Sequence, residues 1–325
     1  MGTESAEATP DGEPEVSRAR AWVMAARPQT LPAGAAPVVV GTGLAVHDGV
    51  FAPLPALAAL VGALLIQVGT NFANDYHDAV RGADTDDREG FTRVTAGGLI
   101  APEAVEAATY ATYGLAVVLG VYLVAVGGPA IAVVGLASVG AGLAYTGGPM
   151  PYGYRGLGDL FVFVFFGLVA VTGTYYVQAA TAVAGVPGLA APLALVPVDA
   201  VVAALPAAGL STAILVVNNV RDLETDRAAG KRTLAVILGY RLSRVQFALL
   251  VGMAYVVPVV FALDPAYGPA AFAPLATAPL AARVGRTVAT RTDGAALNPA
   301  LKRVGQTLAA HSLLFAAGLA LPALG

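Results

Sequence analysis

The chain has 325 residues, of which 57% are hydrophobic and 12% charged, where an average soluble domain carries about 25% charged residues. A mean hydropathy of +0.72 exceeds what one soluble core sustains and points to bilayer as the solvent. The net charge of −3 gives no case for nucleic-acid binding, and the lack of cysteine excludes disulfides, Cys-ligated zinc and thiolate nucleophiles.

Residues 1–17 are acidic and polar, with Pro10 and Pro14, and are expected to form a disordered N-terminal tail. They lack the n-region and h-region order of a signal peptide, so the first apolar span is expected to be retained. Residues 18–325 read as one transmembrane domain. Spans of about 20 apolar residues are predicted at 28–46, 53–76, 104–127, 129–147, 157–180, 198–220, 242–263, 267–283 and 305–324. The expected fold is therefore all-α: a polytopic membrane protein with about nine transmembrane helices. Its 38 glycines suit close helix approach in lipid, where hydrophobicity does not drive helices together.

Charge placement supports this count. Nine spans put all 18 basic residues on one side, from Arg18, Arg20 and Arg27 to Lys302 and Arg303. The opposite loops carry only Asp48, Asp199 and Asp264. By the positive-inside rule the basic side, with the N-terminus, is cytoplasmic. His47, His77 and His311 are far apart, which argues against a histidine metal site.

Two acidic segments sit where apolar spans meet that basic side. The first, Asn71-Phe-Ala-Asn-Asp-Tyr-His-Asp78, continues span 2 and leads through Gly82 to Asp84. If the helix persists, Asn71 and Asp75 are i,i+4 neighbours, as are Asn74 and Asp78. The second, Asn218-Asn-Val-Arg-Asp-Leu-Glu-Thr-Asp226, continues span 6, with Asn218, Asp222 and Asp226 spaced along one helical face. Clustered carboxylates repel, and an Asp deep in a bilayer costs about 2.5–3.5 kcal/mol. A hard divalent cation such as Mg²⁺ offsets this, because it prefers oxygen ligands and is typically held by one or two carboxylates plus substrate phosphates. The two segments lie about half the chain apart and share an order of acids, Gly, base and Thr, the pattern of an internal duplication.

The segments resemble the two aspartate-rich motifs of the UbiA superfamily of intramembrane prenyltransferases. Further matching stretches are Arg27-Pro-Gln-Thr-Leu-Pro32, Tyr145-Thr-Gly-Gly-Pro149, Pro151-Tyr-Gly-Tyr-Arg-Gly-Leu-Gly-Asp159, Gly173-Thr-Tyr-Tyr-Val-Gln178 and Asn219 through Thr233. The third acid of the first motif falls at Asp84 where the broad pattern has it at Gly82, which favours the branch acting on 1,4-dihydroxy-2-naphthoate. Phe91 departs from the proline expected there.

The resemblance implies a UbiA-like bundle in a cell membrane, with its active-site loops cytoplasmic. It implies Mg²⁺-dependent transfer of a polyprenyl group from polyprenyl diphosphate to 1,4-dihydroxy-2-naphthoate, with loss of CO₂, in menaquinone biosynthesis. Asn74, Asp78, Asp222 and Asp226 are then the expected metal-binding residues, directly or through water, with Asp75 and Asp84 as further catalytic acids. Arg27, Arg81, Arg155, Arg221, Lys231 and Arg232 are the expected partners of the diphosphate, against the simpler reading of orientation charges. Tyr145 and Tyr152 lie near the site level and are candidates for stabilising the allylic cation and binding substrate. The aromatics of span 5 (Phe161, Phe163, Phe165, Phe166, Tyr175 and Tyr176) read first as packing residues, and Asp159 as a helix cap. Two alternatives stand beside this reading. One is a related prenyltransferase acting on another quinone precursor, haem or an archaeal lipid. The other is a secondary transporter, which would put carboxylates near span centres.

Overall fold

Proline sets the start of several long helices. Pro53, Pro102 and Pro129 each take the first helical position, where the missing N–H is no loss and the fixed φ suits a helix. The computed structural model describes residues 16–81, 94–184 and 193–324. Short α1 (Arg18–Ala26), capped by the Ser17 hydroxyl, leads through a 3₁₀ turn to α2 (Leu31–His47). Then come α3 (Pro53–Val80), α4 (Pro102–Gly127) and α5 (Pro129–Ala144). Next, α6 (Gly158–Phe163) runs through a π-helical stretch, Val164–Val169, into α7 (Ala170–Ala184). The second half holds α8 (Val198–Arg221), short α9 (Leu223–Ala228) and α10 (Leu234–Leu263). A 3₁₀ run, Pro269–Thr277, continues as α11 (Ala278–Thr290), and α12 (Gly294–Ala320) closes the bundle.

Every predicted span falls on one of these helical segments. Among the described residues seven helices are long and apolar enough to cross a membrane, and α5 is a shorter apolar one. The ninth span is the 3₁₀–α11 run. Boundaries moved for local reasons. Gly239, at φ 70°, breaks α10, so its apolar body begins just ahead of the predicted residue 242. Conversely, α12 starts well before residue 305, because Asp293 caps it by accepting from the Ala296 N–H at 3.1 Å. Lys302 and Arg303 had hidden that start from a hydropathy reading.

In the bundle α2 packs against α3, α7, α8 and α12. Gly43 meets α12 so closely that an added Cβ would lie 2.6 Å from the Ala316 Cα, and one on Gly167 would lie 2.1 Å from the Ala208 Cβ. Such contacts exchange side-chain volume for backbone proximity, the usual basis of packing in lipid. The bundle has chemically distinct ends. At one, Tyr175 donates to Asp48 and Tyr267 to Asp199, both at 2.6 Å, and His47 stacks on Tyr267. At the other, the C-termini of α3 and α8 converge with the acidic segments.

Candidate active site

A cavity of about 610 Å³ opens between α2–α8, within the range of small-molecule sites. Most of its wall is apolar, including Gly120, Val121, Val124, Leu136, Val139 and Phe166. One end is polar. Helix α3 persists to Val80, so Asn74 and Asp78 do share a face, and both line this end. Asn218, Asn219, Asp222 and Asp226 line it from the other segment. That segment is not one continuous helix. Helix α8 stops at Arg221 with Asp222 as its cap, and Asp226 stands on α9. An Asp226 N–H to Asp222 carbonyl bond of 2.7 Å keeps the helical register across the break.

Cations bind these carboxylates together. Lys231 places its Nζ 3.7 Å from Asp78 and 3.9 Å from Asp226, one acid from each segment. The same ammonium lies 4.7 Å above the Tyr154 ring, and the Tyr154 hydroxyl donates to Asp78. Burial, then the Asp78 carboxylate, pushes the Tyr154 hydroxyl above the ordinary phenol range, so it stays protonated as a donor. Arg221 grips Asp222 with two 2.7 Å contacts and extends to Asn218 Oδ1 and, on α12, Asn298 Oδ1, each also at 2.7 Å. Asn74 accepts from the Thr146 hydroxyl at 2.8 Å.

Several sequence candidates stand elsewhere. Asp75 is turned off the cavity; it accepts from the Thr95 N–H and hydroxyl at 3.0 and 2.6 Å and lies 3.6 Å from Arg27. It thereby ties α3 to the segment before α4. Arg81 donates to the Thr146 and Gly148 carbonyls, holding the α5–α6 connection. Arg155 and Arg232 are exposed and absent from the cavity wall. Arg232 contributes its backbone instead, donating to the Tyr154 carbonyl at 2.9 Å. Arg27, Arg221 and Lys231 do line the cavity. Asp84 lies outside the described residues.

Tyr145, Tyr152, Phe161 and Phe165 form an aromatic wall beside the polar end. Tyr152 stacks on Phe161 at 4.0 Å, Phe161 stacks on Phe165 at 5.9 Å, and Tyr145 meets Tyr152 edge-on at 5.3 Å. Phe163 is not in the cavity wall, and Tyr175 and Tyr176 are structural, bonded to Asp48 and to the Gly127 carbonyl. Asp159 is buried and accepts from Gln246 at 2.9 Å rather than facing the cavity. The sequence reading passed over Tyr154 and Asn298 as site residues. Tyr154 stood inside a quoted motif; Asn298 carried no signal, because it lies on α12, far along the chain from both acidic segments.

The donor chemistry here is oxygen throughout: carboxylates and asparagine amides at the mouth of an apolar cavity. Among the described residues no three acidic or histidine side chains converge as a ready metal cage. Oxygen donors of this kind fit a hard divalent cation such as Mg²⁺, which is typically held by one or two carboxylates plus substrate phosphates.

The UbiA prenyltransferase family model matches residues 35–321. The chain is 38% identical to the 1,4-dihydroxy-2-naphthoate octaprenyltransferase of Escherichia coli (strain K12), over 94% of this chain and 97% of that protein. Solved structures share the fold. A UbiA homolog from Aeropyrum pernix K1 superposes with a TM-score of 0.66 at 15% identity, over 90% of this chain and 97% of its own. A UbiA homolog from Archaeoglobus fulgidus, bound to DMAPP and Mg²⁺, gives 0.55 at 14% identity, over 90% and 98%.

Proposed function

The chain belongs to the UbiA prenyltransferase family, and on that premise we propose that it transfers a polyprenyl group from polyprenyl diphosphate to 1,4-dihydroxy-2-naphthoate. The observation that carries this reading is the meeting of two acidic segments, from opposite halves of the chain, at the polar end of one largely apolar cavity. A diphosphate needs the first environment and an isoprenoid tail the second. The likeness to the E. coli enzyme over nearly the whole of both chains supports the naphthoate as acceptor. The gathering of basic residues at that end supports the cytoplasmic face of a cell membrane as its position.

The chemical difficulty is charge separation. The allylic C–O bond breaks with its electrons leaving on diphosphate, and the ring carbon bearing the carboxylate bonds to the allylic carbon. Loss of CO₂ then restores the aromatic ring, so carbon dioxide and diphosphate are the balancing products. Asn74, Asp78, Asp222 and Asp226 are the residues that would hold a Mg²⁺ ion, and that ion would supply Lewis-acid stabilisation of the departing diphosphate. Arg221 and Lys231 add positive charge in a site shielded from water, where electrostatic stabilisation is strongest. Tyr154 and Asn298 position these groups: the first holds Asp78, the second holds Arg221. Tyr145, Tyr152 and Phe161 turn aromatic surface toward the space where the allylic cation forms. Asp75 and Arg81 act on the scaffold, and Arg155 and Arg232 serve as orientation charges.

The test is a mass spectrum of the lipid product after purified protein is incubated with Mg²⁺, a polyprenyl diphosphate and the naphthoate. The expected product is the prenylated, decarboxylated naphthoquinol or its quinone. Product from 4-hydroxybenzoate but none from the naphthoate would overturn the acceptor assignment.

A further inference from the structure

The wall that α6 and α7 give the cavity is straighter than a regular helix allows. Phe161, Phe165, Val169, Gly173 and Val177 all line it, each four residues after the last. In an α-helix such a row turns by about 40° per step, so Val177 would face roughly 160° away from Phe161. The π-helical stretch Val164–Val169 takes out part of that drift, because its wider turn holds more residues. Gly167, seated so closely on Ala208 that a Cβ would collide, holds this stretch against α8. One continuous face thus runs from the polar end into the apolar depth.

Side-chain size falls along that face, from Phe161 and Phe165 through Val169 to Gly173. The cavity closes one turn further on. There Tyr176 donates to the Gly127 carbonyl at 2.9 Å, and a Cβ on Gly127 would lie 2.5 Å from Ile131 and 3.3 Å from Val177, so α4, α5 and α7 meet. Val121 and Leu136, within two turns of this floor, line the cavity yet are 65% and 70% exposed, which leaves it open sideways. Where a glycine serves helix contact in this bundle, an added Cβ collides, as at Gly43 and Gly167. A Cβ on Gly173 meets no described atom within 4 Å. The rest of the stretch Gly173-Thr-Tyr-Tyr-Val-Gln178 is committed: Tyr175 to Asp48, Tyr176 to Gly127, and Gln178 to the Ala52 N–H and the Thr174 carbonyl. Glycine weakens a helix interior, so a bare position in a cavity wall with no contact to serve has its use in the space it leaves.

Gly173 lies twelve residues beyond Phe161, at most about 18 Å along the axis. That is the reach of several isoprenoid units. We propose that Gly173 is a specificity-determining residue for the length of the prenyl tail: its missing side chain lets a long tail pass down the α6–α7 face and turn above the floor. A tail of two units ends short of it. This rests on the prenyltransferase reading of the cavity.

The experiment compares wild type, Gly173→Val and Gly173→Leu in detergent with Mg²⁺. Geranyl, geranylgeranyl and octaprenyl diphosphate are the probes, and fluorescence-titrated Kd and KM with the naphthoate are measured for each. The constants of geranyl diphosphate should stay within about twofold in both variants, because its tail does not reach the substituted position. For the two longer tails Gly173→Leu should raise both constants about tenfold or more, because the units beyond the block lose apolar burial. Gly173→Val should move them the same way by about threefold or more. It carries the test if the leucine variant fails to fold, since the long-to-short ratio is read within one variant and a general loss of folded protein cancels. Equal changes at all three lengths, or no change at any, would overturn the proposal. If the variants show the length pattern in Kd while wild type gives no product from the naphthoate, the acceptor assignment fails and Gly173 keeps its role. If folded wild type binds none of the three diphosphates, the proposal falls with the reading of the cavity.

Discussion

Lys231 lies within 3.7 Å of Asp78, although the two come from different acidic segments on opposite halves of the chain. The same ammonium is 3.9 Å from Asp226. One cation is thus shared between an acid of each motif and holds α3 beside α9. Together with Arg221 on Asp222 and Arg27 beside Asp75, this shared ammonium offsets part of the repulsion among carboxylates at the end of a membrane bundle.

Replacing that cation separates charge from bulk. Lys231→Met should lower kcat by roughly a hundredfold to a thousandfold, the usual loss when a transition-state charge partner is removed. Lys231→Arg should recover part of it. Steady-state product formation measures both, with insertion checked by membrane fractionation. A Lys231→Met protein within threefold of wild type would show that this ammonium is only a scaffold charge.

Basic residues of the site should behave unlike basic residues of the surface. Arg155→Ala and Arg232→Ala, both exposed, should stay within about threefold of wild-type activity, as surface charges usually do. Arg221→Ala should abolish activity and destabilise the protein by about 3–5 kcal/mol, because it strands a buried Asp222. Thermal unfolding alongside kinetics distinguishes the two classes. Equal losses in all three variants would erase the distinction.

Metal dependence should separate Asp75 from Asp222. Chelation should stop turnover and added Mg²⁺ restore it. Asp222→Asn should raise the Mg²⁺ concentration for half-maximal rate by about tenfold or more. Asp75→Asn should leave that midpoint within about twofold while lowering the unfolding temperature, because Asp75 is spent on Thr95 and Arg27. A Mg²⁺ titration of each variant decides; a large shift for Asp75→Asn would place a ligand where the geometry shows a tie.

Tyr154 supplies a pH test. Burial and Asp78 raise its pKa in the folded protein, so the folded state keeps the proton where the unfolded chain loses it. Its contribution to stability is then complete below about pH 10, the unfolded phenol value, and falls as pH rises toward the folded value. The difference in Tm between wild type and Tyr154→Phe should be steady from pH 7 to 9 and shrink above about pH 10. A difference that stays constant through pH 11 would contradict the Tyr154–Asp78 bond.

Packing has its own test. Gly43→Val places atoms into the Ala316 backbone, which cannot move aside as a flexible side chain would. A loss of about 1–3 kcal/mol is expected, the ordinary cost of overpacking. Gly252→Ala, where nothing lies within 4 Å of an added Cβ, is the matched control and should unfold close to wild type. Unchanged stability in Gly43→Val would mean that α2 and α12 separate freely.

Much of the site was legible because its signals are local. The i,i+4 spacing of Asn74 and Asp78 needed only that α3 continue, and it does. The spacing of Asn218, Asp222 and Asp226 was read as one helix face, whereas α8 ends at Arg221. Asp75 and Asp78 are the same residue type three positions apart, yet one faces Thr95 and the other faces Tyr154 and Lys231. Nothing in the run Asn74-Asp-Tyr-His-Asp78 distinguishes them, since their partners lie on other parts of the chain. Asn298 was invisible for the same reason.

The sequence by itself determined the spans, the sidedness of charge and the two acidic helix ends. Transfer of a side chain between water and hydrocarbon is a property of that residue and its near neighbours, and it sums along the chain. Only the tertiary structure decided which carboxylate meets which cation, and which basic residues reach the cavity at all. Coulomb energy and hydrogen bonding depend on distances through space, and folding sets those between residues that the chain keeps far apart.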